Sequence, residues 1–335
     1  MGADGSIESA TITQARIAPG DDFKADVVNG PSTLKVSVRG TTLDARAFVK
    51  SMLDGTPPGQ PAGKDLDLDV KVATVTGANK QAISGLELAA YRRGGEMRLG
   101  TLRGRIGAGA VTATGNGGEM RLMTTDAGAL ARFADLYARL EGGNLDLVLR
   151  SKGEASAGEA VLTNFVLRDE PAFRQLVNAG RPRAAEAGAA AIDPSLVRFE
   201  KMTASFERSP GRLKIQDAVI FNPNMGLTTQ GVIDFEHNQI DVSGSFVPAY
   251  QVNTMLTKIP LVGVLLSGGQ NDGVFGVSYR VHGPMSGPTL TVNPLSAIAP
   301  GILRRILGAI DGTTNRGGAP EPVETSDAPA HRPSR

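Results

Sequence analysis

The chain has 335 residues, with 35 Lys plus Arg against 34 Asp plus Glu and no cysteine. That balance leaves no basic excess to neutralise phosphates, which excludes nucleic acid as the expected partner. The lack of cysteine removes disulfides, thiolate metal sites and Cys nucleophiles together. Aromatics make up 4% and glycine supplies 42 positions, above the usual share of about 7%, so the chain reads as mostly β, with many turns and an aliphatic interior.

The first ten residues lack the basic and apolar regions of a signal peptide. Met1, Gly2 and Ser6 fit the myristoylation pattern, which is too short and common to carry weight. Residues 11–17 and 34–38 read as strands, the second alternating Leu34, Val36 and Val38 with polar neighbours. Residues 43–53 read as a short helix burying Leu43, Ala47 and Phe48, and residues 54–63 as a Pro/Gly loop. Leu66, Leu68, Val70 and Val72 then alternate with Asp67, Asp69 and Lys71. Asp65, Asp67 and Asp69 match the start of an EF-hand loop, but Val70 and Thr76 stand where that loop needs Gly and Glu. They read as solvated carboxylates on the outer face of a strand.

Short strands follow at 86–88, 97–99, 102–106 and 111–114, and the hexapeptide GGEMRL occurs at both 94–99 and 117–122. Asp126 can cap a helix whose face is Leu130, Phe133, Ala134 and Tyr137, closed by Gly142-Gly143. Strands at 145–149 and 161–167 follow it, and a short helix at 171–177 leads into the low-complexity stretch 181–191. Strands at 197–206 and 213–221 turn at Ser209-Pro210-Gly211.

Residues 226–310 hold the clearest grammar. Val232, Ile233 and Phe235 lead to a turn at His237-Asn238, and Ile240, Val242 and Phe246 return as a half-buried hairpin that Pro248 ends. Val252, Met255, Leu256 and Ile259 share one helical face. The apolar run with Leu261 and Leu265 is far shorter than the roughly 18 residues that cross a bilayer. Val274, Phe275, Val277 and Tyr279 belong to the next strand. Leu295, Ile298, Ile302, Leu303 and Ile306 form a final amphipathic helix, which reads either as a cover for the last sheet edge or as a docking face for a membrane or partner. Residues 311–335 are too polar and proline-rich to fold.

Of the three histidines, His237 sits in a turn, His282 at a strand end and His331 in the tail, and no nucleophile, P-loop or metalloprotease motif occurs. The expectation is a chain that is no enzyme and needs no cofactor. Long one-sided apolar faces on strands are the chemical theme, and periodicity alone allows either a closed sandwich core or an open apolar surface.

The succession GVIDFEHNQIDVSGSFVPAYQVN, KIPLVGVLLSGGQNDGVFGVSYRVHGP and LTVNPLSAIAPGILR, with TTDAGALARFADLYARLEGGNLDL and TNFVLRDEPAFRQLV upstream, resembles the C-terminal domain of the AsmA-like family of bacterial envelope proteins, in its YhdP-type branch. The resemblance implies an elongated, curved antiparallel sheet forming an open groove, with short inserted helices and a C-terminal amphipathic helix. It divides the chain into an N-terminal β segment (1–84), the AsmA-like domain (85–310) and the tail (311–335). It implies phospholipid as the cargo and a periplasmic location, with an inner-membrane anchor upstream of this chain. The residues expected to line the groove are Val232, Phe235, Ile240, Val242, Phe246, Met255, Leu256, Ile259, Leu261, Leu265, Val274, Phe275, Val277 and Tyr279. The alternative is a structural or assembly module for outer-membrane biogenesis, the role that TamB-type relatives resemble, with a packed sheet that transports nothing.

Overall fold

The computed structural model describes residues 8–54, 64–94, 96–152, 155–186, 192–223, 225–248, 276–295, 305–306 and 308. In chain order the strands are β1 (Ser9–Ala15), β2 (Asp22–Asn29), β3 (Thr33–Asp44), β4 (Asp65–Thr76), β5 (Ala82–Arg93), β6 (Glu96–Ile106), β7 (Gly109–Asn116) and β8 (Glu119–Thr124). They continue as β9 (Leu140–Lys152), β10 (Ala155–Arg168), β11 (Leu196–Ser209), β12 (Arg212–Asn222), β13 (Met225–Asp234), β14 (Gln239–Pro248), β15 (Gly276–Pro284) and β16 (Thr289–Leu295). Helices α1 (Arg46–Asp54), α2 (Ala127–Phe133) and α3 (Pro171–Glu186) interrupt them.

All sixteen strands lie in a single open, curved sheet, in the order of the sequence. Every neighbouring pair is antiparallel except β3 and β4, which run parallel because α1 carries the chain back between them. Ser84 and Gly85, where the sequence resemblance divides the chain, both lie inside β5. The meander gives the two strand ends different character. One end carries tight connections, among them those from β11 to β12 and from β15 to β16; α1, α2 and α3 all leave from the other.

Pairing partners share a face, so the register defines which residues line each side. Val27, Val36, Leu68 and Ala90 follow one another across β2 to β5, and Leu122, Leu147 and Ala160 across β8 to β10. Ile215, Gly231, Val242 and Val281 continue the same side across β12 to β15. The opposite face carries cross-strand ion pairs: Arg39 with Asp69 at 2.6 Å, Arg93 with Asp67 at 2.5 Å, Arg121 with Asp146 at 2.5 Å, and Arg150 with Glu119 at 2.9 Å. Asp67 and Asp69 are thus occupied by arginines. Such exposed pairs add little stability each, but they mark that face as the hydrated one.

A strict period of two does not hold along the strands. In β10 the buried positions run Ala160, Leu162 and then Phe165; in β11 they run Val197 and Phe199, with Met202 next against the same core; in β5 they run Ile83 and then Leu86. Left-handed backbone at Asn164 (φ 55°) and at Gly85 (φ 61°) lies at two of these steps. A residue in that region rotates the following side chains, so the apolar positions change phase while remaining on the same side.

Two clusters fill the helical end. Val70, Val72, Val75, Ile83, Ile106 and Val111 pack with Ala129 and Phe133 of α2. Phe165, Phe173, Phe199, Phe246 and Val277 form the other, in which Phe173 of α3 meets Phe199 at 6.1 Å and Phe246 at 5.9 Å, both edge-on. Pro171 begins α3, where its missing N–H is harmless, and Glu170 accepts from the Ala172 amide at 3.0 Å.

Three local expectations are corrected. Helix α1 starts at Arg46, and Ala47 and Phe48 face solvent, whereas the preceding Ala45 is buried; the Asp44 carboxylate accepts from the Arg46 amide at 3.0 Å and so sets the helix start later. Helix α2 stops at Phe133, because Asp135 adopts φ 55°; Gly142-Gly143 instead lie within β9, and Tyr137 is outside the helix. Leu295 closes β16 and does not open a helix.

The α2 junction is tight. Asp126 accepts from the Ala129 amide at 2.9 Å and the Ala108 amide at 3.1 Å, and a Cβ at Gly128 would lie 2.4 Å from the Leu140 carbonyl oxygen. Asp126→Ala is expected to lower stability by about 1–2 kcal/mol through loss of the cap, and Gly128→Ala by about 1–3 kcal/mol through overpacking. Urea unfolding of each variant checks this; wild-type midpoints would refute the packing described.

Candidate functional site on the apolar face of the sheet

The apolar face is unevenly covered. Towards the helical end its side chains belong to the two clusters. Towards the tight-turn end Leu34, Leu66, Leu99, Leu122, Leu147 and Leu149 remain half-buried, as do Phe206, Leu213, Ile215, Ile233, Ile240 and Val281 further along, and none of these joins either cluster. Both copies of GGEMRL contribute, placing Leu99 and Leu122 on this side. The sheet curls enough that Arg208, near the end of β11, donates to the Met52 carbonyl of α1 at 2.7 Å, although 156 residues separate them. Helix α1 therefore bridges from the β3–β4 crossover to the β11–β12 turn, and the apolar face lies inside the curl.

The expected groove residues divide into four groups. Ile240, Val242, Phe246, Val277 and Tyr279 share the apolar face. Of these, Phe246 and Val277 are fully buried in the aromatic cluster and plug the helical end, leaving Ile240 as the half-buried member furthest towards the tight turns. Val232 is corrected: it pairs with Lys214 and Asp241 on the hydrated face, and its neighbour Ile233, paired with Ile240, takes the inward position. Phe235 lies beyond the end of β13, its amide bonded to the Gly211 carbonyl at 2.8 Å. Met255, Leu256, Ile259, Leu261, Leu265, Val274 and Phe275 lie outside the described residues, as do Ile298, Ile302 and Leu303 of the closing segment. Ile306 is fully buried, against Gly226 on the hydrated face, and the adjacent Arg305 pairs with Asp217.

That face changes character over β13 to β16. Thr228, Ser245, Ser278 and Asn293 form one row across the four strands, and Gln230, Ser243, Arg280 and Thr291 form the next. Together with Arg305 and His282 they line a cavity of about 560 Å³. Arg280 makes two bonds to the Asp241 carboxylate, both 2.8 Å, which hold that carboxyl below its ordinary range. Sequence reading overlooked these rows; the alternate hydroxyl and amide positions in TTQ, SGS and TVN were the available signal.

The chain matches no protein-family model, no curated protein and no solved structure. Function is therefore argued from the faces themselves. No helix among the described residues is long and apolar enough to cross a membrane.

At the β13–β14 turn the Asp234 carboxylate accepts from the His237 amide at 2.9 Å and lies 2.9 Å from the imidazole Nδ1. The side-chain bond to Asp234 raises the His237 pKa above its ordinary 6.5. A raised histidine pKa contributes stability that is complete below the unfolded value and is lost as pH rises through the folded one. An NMR titration should place the His237 midpoint above 6.5, and Asp234→Asn should bring it down; equal midpoints in the two proteins would refute the pairing.

Proposed function

We propose that this chain holds the acyl chains of phospholipid against the inner face of its curled sheet, as part of a periplasmic carrier between the inner and outer membranes. The observation that supports the reading is the band of half-buried aliphatic side chains at the tight-turn end, on a face whose reverse is lined with ion pairs. A closed core would have buried those side chains, whereas monomers rarely leave apolar surface continuous over many strands without a use. The resemblance to AsmA-like proteins points the same way.

The energetic role is direct. Exposing an acyl chain to water costs about 0.8 kcal/mol per CH₂, so a chain of about 16 carbons faces on the order of 12 kcal/mol in transit. Leu147, Leu149, Leu213, Ile215, Ile233 and Val281 provide an aliphatic surface that removes part of that cost, while the headgroup stays at the hydrated rim. The aromatic plug of Phe173, Phe199 and Phe246 blocks the helical end, so acyl chains enter from the tight-turn end or along the curl. The same plug favours the second reading, a packed scaffold for envelope assembly, because it shows interior space filled by side chains.

Paired variants separate the two. Ile233→Asp with Val281→Asp changes half-buried positions and is expected to move Tm by less than about 5 °C while abolishing uptake of a dansyl-labelled phospholipid. Phe246→Ala is expected to lose about 3–5 kcal/mol of stability. Lipid-free purified wild type with no dansyl-lipid uptake, or unaltered uptake in the double variant, overturns the carrier and leaves the scaffold.

A further inference from the structure

We propose that the hydrated face of β13 to β16 carries a second binding site, for a neutral polyhydroxylated ligand such as an oligosaccharide. Over β3 to β9 this face carries ion pairs, and beside the cavity Val219, Phe221, Val247 and Ile306 are buried on it. Here four adjacent strands present hydroxyls and amides in register around a cavity of about 560 Å³, a size suited to small ligands, whose pockets run from about 300 to 1,000 Å³.

One buried, unpartnered atom points to an occupant, beside two buried hydroxyl residues. Thr228 is 4% exposed and Ser245 6% exposed, they are direct cross-strand partners, and both line the cavity. His282 Nδ1, at the cavity wall, is buried with no hydrogen-bond partner among the described residues. Buried polar groups are seldom left unpaired, and a ligand with several hydroxyls supplies a partner for the imidazole and further bonds for the Thr228 and Ser245 hydroxyls beside it.

Charge selects among polar ligands. The cavity's two guanidinium groups are each matched by a carboxylate, Arg280 by Asp241 and Arg305 by Asp217. Their positive charge is already answered, so a phosphate or carboxylate would find no unpaired guanidinium among the described residues that line the cavity. A hydroxyl pair instead can bridge the outer edge of the Arg280–Asp241 fork, where donors and acceptors sit side by side. Because this face lies opposite the apolar one, the site stands whether or not the chain carries lipid.

An array of neutral and acidic oligosaccharides probed with the full chain tests the assignment, followed by calorimetry on the best neutral binder with and without inorganic phosphate. At least one neutral oligosaccharide should bind. Thr228→Val with Ser245→Ala should weaken it by tenfold or more, with phosphate failing to compete. Gln230→Ala, at an exposed cavity position whose loss does not threaten the fold, should weaken it by severalfold, which covers the case in which the buried pair fails to fold. Absence of any neutral binder, displacement by phosphate, or affinity unchanged in the variants overturns the proposal.

Discussion

The structure depends on keeping one side of a sixteen-strand sheet apolar through every turn of the chain. In a sheet a slip of one residue sends every side chain to the other face, so a meander of this length must hold its register or lose its two-sidedness. Strand pairing runs unbroken from β1 to β16, and the few register shifts are local. Where curvature would carry apolar residues to the wrong side, left-handed backbone at Asn164 and Gly85 resets the alternation. The result is a sheet with an aliphatic lining and an opposite face that is ion-paired over β3 to β9.

Its two rims follow from the connections. Tight turns leave one end of the strands bare, so the aliphatic side chains there stay half-exposed. Helices leave from the other end and fold back over the lining, where Phe133 and Phe173 fill space that backbone alone cannot. Helix α1 adds a lateral constraint, since its bond to Arg208 joins parts of the sheet eight strands apart. The lining is thus packed at one rim and open at the other. It differs from a sandwich, in which both rims close.

Much of this could be read from residue order. Alternation in Leu34, Val36 and Val38, and in Leu66, Leu68, Val70 and Val72, marked strands whose inward residues the structure bears out. Glycine and proline placed most turns, and Asp126 placed the start of α2. The inward members Ile240 and Val242 were read from their hairpin, but Val232 was assigned to the wrong face, because two adjacent apolar residues, Val232 and Ile233, leave the phase ambiguous until the partner strand is known. Phe246 was expected to line a groove and instead stops one end of it.

By itself, then, the order of residues determined a many-stranded β chain with one apolar side, since a period of two and the turn chemistry are local properties. Only the tertiary structure decided which apolar residues are covered, where the alternation changes phase, and that alternate Ser, Thr, Asn and Gln on four strands meet around one cavity. Those outcomes depend on cross-strand register and on how far the sheet curls, and both arise from contacts between residues far apart in the chain.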